Sequence, residues 1–70
     1  MHKSSQKIEF YEERAEEAAL EARNTTLVNV RERALRSESV WREMAIRAIA
    51  VEDEREARKI AEAKRLRETE

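Results

Sequence analysis

The chain predicts an all-α fold: an antiparallel helical hairpin with a long second helix, dimerising into a four-helix bundle. Three observations carry that expectation. Glycine and proline are absent, which removes the usual punctuation of turns and strands, and Ala, Glu, Arg, Lys and Leu dominate, the composition of long or coiled helices. Apolar residues recur at spacings of three and four in two runs, separated by one poor helix-forming cluster. The second run carries more apolar surface than the first can cover.

Seventy residues make one domain, spanning 1–70. So short a chain buries too little surface to be comfortably stable alone. Cysteine is absent, which excludes disulfides and thiolate metal sites. The one histidine, His2, sits beside Met1 and reads as a terminal residue; a metal site needs several converging ligands. Oligomerisation is the remaining route to stability.

The first helix is expected over about residues 5–23, with Ser4 or Ser5 as its cap. Ile8, Tyr11, Ala15, Ala18 and Ala22 share one face, and Glu9, Glu13, Glu16 and Glu17 the opposite one. The break is "NTT", residues 24–26, whose side chains are poor inside helices and good at their starts. Thr25 or Thr26 is the expected cap of the second helix. Asn29 with Glu32 has capping-box spacing and competes for that start. A single uninterrupted helix is the alternative to a hairpin.

The second helix is expected over about residues 27–62, with a frayed charged tail to 70. Its seam is Leu27, Val30, Ala34, Ser37, Trp41, Met44, Ala48 and Val51, flanked by Ala45 and Ile49. Val28, Leu35 and Ile46 lie further round and widen the apolar arc, which suits a bundle helix with more than one neighbour. After Val51 the pattern turns polar, with Ile60 and Leu66 the large apolar exceptions. Pairs such as Glu62–Arg65 support a solvated helix there.

Folding the chain back at residues 24–26 sets Val30 near Ala19, Ala34 near Ala15, and Trp41 near Ile8 and Tyr11, a bulky group against an alanine floor. The expected core anchors are Ile8, Tyr11, Leu27, Val30, Trp41 and Met44. In that register Met44 faces Ser5, and the stretch "MAIRAIAV" outruns the first helix. Ala45, Ile46, Ala48, Ile49 and Val51 are therefore the expected dimer interface. Arg47, inside the same stretch, should stay exposed. Charge agrees with helix pairing: residues 4–23 carry three bases against six acids, and residues 27–50 five bases against three acids.

The stretch "TLVNVRERALRSESVWREMAIRA" resembles a pattern of small uncharacterised bacterial helical-hairpin proteins, TLxNVRxRxLRSxxxWxxMAxRA. It covers about a third of the chain. The resemblance implies a hairpin and brings no activity, ligand or catalytic residue.

No catalytic or cofactor constellation is legible. Carboxylates at helical spacing lack the Glu-x-x-His of di-iron bundles, and Ser37 and Ser39 have no base near them in sequence. The expected function is a small homodimeric interaction or regulatory module, not an enzyme, without cofactor, acting on itself or a protein partner. The alternative is RNA or DNA binding through Arg33, Arg36, Arg47, Arg58 and Arg65, which fall within about one quadrant of a helical wheel. Glu43 and Glu54 interrupt that stripe, no aromatics interleave it, and net charge is only −1. No apolar run has the length of a membrane span, and the N-terminus lacks an apolar signal region. A soluble cytoplasmic protein is expected.

Overall fold

The computed structural model describes residues 3–69, with side chains from residue 6. His2 and the capping hydroxyls of Ser4 and Ser5 lie outside the described part. Two helices form an antiparallel hairpin: α1, Lys3–Asn24, and α2, Val28–Thr69. Among the described residues there is no strand, and the molecule is a rod 65 Å long.

α1 begins ahead of Ser4 and Ser5, so both fall inside it. The turn is made without glycine or any positive-φ residue. Thr25 supplies part of it: its hydroxyl accepts the Leu27 N–H at 3.1 Å, and its carbonyl accepts from the Arg31 guanidinium at 2.9 Å. The first backbone bond into α2 runs from Arg31 N–H to the Leu27 carbonyl at 3.0 Å. Leu27 therefore holds the N-cap position, not Thr25 or Thr26, and Asn29 lies within the helix. The threonine hydroxyl is satisfied one step early, by the turn itself. A leucine side chain cannot accept a bond, so α2 starts without side-chain capping.

The seam is alanine. Ala15, Ala19, Ala22, Ala34 and Ala45 are buried, and no large side chain is fully buried among the described residues. Small residues on both helices let the axes approach closely, and little bulk is left to enclose. Ile8, Tyr11, Val30, Trp41 and Met44 are consequently half-buried at the rim. Leu27, expected as an anchor, is 63% exposed because it precedes the helix that would have aimed it inward.

Helix α2 does not end near residue 62 but continues to Thr69. Its last turns contain no helix breaker, Arg65 pairs with Glu62, and the Thr69 hydroxyl donates to the Leu66 carbonyl at 2.9 Å. From residue 53 onward every described side chain is exposed. At 1.5 Å per residue this solitary segment is about 25 Å long.

Candidate interaction surface

Three surfaces are built on this scaffold. At the open end of the hairpin Lys7 and Tyr11 of α1 meet Met44, Arg47, Ala48, Val51 and Arg55 of α2 around a cleft of about 290 Å³. With Trp41 against Phe10 and Tyr11, and α1 beginning at Lys3, α1 accompanies α2 to about residue 49, further than the expected register allowed. Most of "MAIRAIAV" therefore lies beside α1, and only its last residues outrun it. Ala45 is buried in the hairpin seam and so is closed to a partner, while Ala48 is half-buried and Val51 exposed along the cleft. Val51 is 45% exposed at the cleft mouth, and Ile46, 66% exposed, and Ile49, 42% exposed, point out to the side.

Those two belong to the second surface. Val28, Leu35, Ile46, Ile49 and Ile60 are all exposed, and at 3.6 residues per turn they fall within about 60° of one another. The stripe lies roughly a quarter turn from the Ala34–Ala45 seam. It runs along one edge of the hairpin, where Leu35 and Arg42 share a groove with Glu16, Ala19 and Ala22 of α1. Arg42 is fixed within this edge: Nε donates to Glu38 at 2.7 Å and Nη2 to Glu16 at 3.2 Å. The bonds to Glu38, then Glu16, raise its already high pKa further. Arg42–Glu16 is the one ion pair between the helices among the described residues. Such exposed pairs select a neighbour more than they hold it.

The third surface is the arginine face. Arg33, Arg36, Arg47, Arg58 and Arg65 are all exposed, on the side of α2 away from the apolar stripe. Arg47 pairs with Glu43 at 2.7 Å and Arg65 with Glu62. Two of the five charges are thus locally neutralised.

Phe10 was not legible as part of the packing, because helical spacing puts it away from the buried face of α1. It nevertheless reaches Trp41, with ring centroids 5.8 Å apart, while Tyr11 stands 6.0 Å from the same ring. Arg14 lies over Trp41 at 5.2 Å. Gathering all three aromatic residues of the chain into one cluster was the available signal. Leu20 and Val40, both exposed, also fell outside the helical pattern.

No family model matches the chain, and no curated protein or solved structure was found similar to it. Among the described residues no group of three or more His, Cys, Asp or Glu side chains is placed to hold a metal ion. No helix there is long and apolar enough to cross a membrane.

Proposed function

We propose that this protein is a small interaction module that works as a homodimer, its second copy supplying the helices that complete a four-helix assembly. One observation carries the reading. The hairpin buries alanines while Leu35, Ile46, Ile49 and Ile60 stand exposed on a single stripe. Covering one such side chain contributes roughly 1.5–3 kcal/mol, more than any exposed ion pair on this surface. A two-helix chain of 70 residues gains most of its remaining stability from that step.

Nucleic-acid binding draws weaker support. Glu43 and Glu62 offset two arginines of the candidate face, and the aromatic cluster sits around Trp41, where it offers no stacking row between them.

Sedimentation at several concentrations tests the reading. The unmodified chain should be dimeric at micromolar concentration, and Ile46→Glu with Ile49→Glu should make it monomeric. A monomer at high micromolar concentration overturns the proposal. Binding to a nucleic acid that weakens steeply with added salt would favour the arginine face instead.

A further inference from the structure

We infer that the second copy docks antiparallel along α2, with Ile46 of one chain across from the partner's Ile49 and Leu35 across from the partner's Ile60. This rests on the self-association reading and specifies its geometry.

The stripe is two rows. Leu35, Arg42, Ile49 and Glu56 follow at intervals of seven, and Ser39, Ile46, Asp53 and Ile60 form a second row four residues further on. Two such rows are the inward positions of a coiled-coil seam. When two copies of a seam run antiparallel, each layer sets one row against the other. A single register then satisfies Ile46–Ile49 and Leu35–Ile60 together, because both pairs are centred on the same point of α2. That register also places Arg42 across from the partner's Asp53, opposite charges, and Ser39 across from the partner's Glu56.

The alternatives are worse at the layers that hold charge. A parallel pair stacks each residue on its own copy, setting Arg42 on Arg42 and Asp53 on Asp53. Sliding an antiparallel partner by seven residues one way brings Ile46 and Ile49 onto Arg42 and Ser39. Sliding it the other way brings them onto Glu56 and Asp53. Either shift desolvates charge against an apolar side chain, which costs more than it gains.

Length and charge agree. The solitary part of α2, residues 53–69, comes level with residues 26–42 of the partner, where α1 is already packed. Three helices then lie abreast at each end, and four meet at the centre, where both copies of α1 begin. The segment Arg58–Arg67 carries five bases against Glu62. It comes alongside the later part of the partner's α1, about residues 14–23, in which Glu16, Glu17 and Glu21 stand against Arg14 and Arg23. Glu16 lines the same groove as Leu35, and Leu20, 51% exposed, sits one turn further along α1. Opposite fields at this range attract within the Debye length at ordinary salt.

Engineered cysteines read the register directly, since the chain contains none. Chains carrying Ser39→Cys are mixed with chains carrying Glu56→Cys and mildly oxidised; both positions are exposed in the hairpin, so folding is little disturbed. The mixed disulfide should dominate over either symmetrical one. In parallel, Ile60→Glu, also on an exposed residue of the hairpin, should weaken dimerisation roughly tenfold or more, while leaving hairpin helicity intact. Predominance of the Ser39→Cys symmetrical product, or undiminished dimerisation with Ile60→Glu, overturns the register. If the unmodified chain is a dimer, either result leaves the self-association reading standing; if it is a monomer, both fail.

Discussion

Phe10 meets Trp41 edge-on, their ring planes at 89° and centroids 5.8 Å apart, across the two helices of the hairpin. The contact joins residues that share no helical face pattern, and it places the largest side chain of α2 against the start of α1. Trp41→Ala should cost about 2–3 kcal/mol, below the loss for a fully buried ring because Trp41 is only half-buried. A double-mutant cycle with Phe10→Ala should give a coupling of about 0.5–1.5 kcal/mol. Urea denaturation measures both; additive losses would mean that the rings do not interact in solution.

The start of α2 offers a gain. Leu27 occupies the N-cap position with its side chain in water. Leu27→Asp would supply the missing acceptor and place a negative charge at the positive end of the helix dipole. It should stabilise the hairpin by about 1 kcal/mol. Thermal melting followed by circular dichroism should show a rise of several degrees; a fall would mean that Leu27 meets a partner.

Crowding the seam should do the reverse. Ala34 is 3% exposed, and Ala34→Leu adds three carbons where the two backbones are held apart by methyl groups alone. A loss of about 1–3 kcal/mol is expected. Unchanged stability would show that the helices sit further apart than the buried alanines require.

The solitary end of α2 provides a probe of coverage. Residues 53–69 are exposed throughout and, beyond Arg55, which lines the cleft with Lys7 and Tyr11, run clear of α1; a lone helix of that length is marginal in water. Their amides should exchange rapidly at low concentration and become protected as concentration rises. Protection independent of concentration would mean that the segment is stable without a second copy.

Much of the hairpin was legible in the residue spacing. The alanine floor, the break at residues 24–26 and the approach of Trp41 to Tyr11 all follow from periodicities of three and four. Position along the helices was harder. The expected register stopped α1 short of Ala45, so an edge stripe was read as an overhang. Ile46 and Ile49 are exposed because of the angle at which they leave α2, not because α1 has ended. Capping also misled, since threonine is a good acceptor in either of two places, and here the turn uses it first. The expected end of α2 near residue 62 fell short of Thr69 because Glu, Lys and Arg continue a helix when no residue interrupts it.

The alanine seam also governs how this protein can change over generations. A core of leucines can drift by trading bulk between neighbours, one side chain shrinking as another grows. At Ala15, Ala19, Ala22, Ala34 and Ala45 there is almost nothing to trade: glycine is the sole smaller residue and weakens the helix, while every other substitution adds atoms where the backbones nearly touch. The plainest positions of the sequence are therefore its most restricted, and variation has to be absorbed at the rim and along the charged faces.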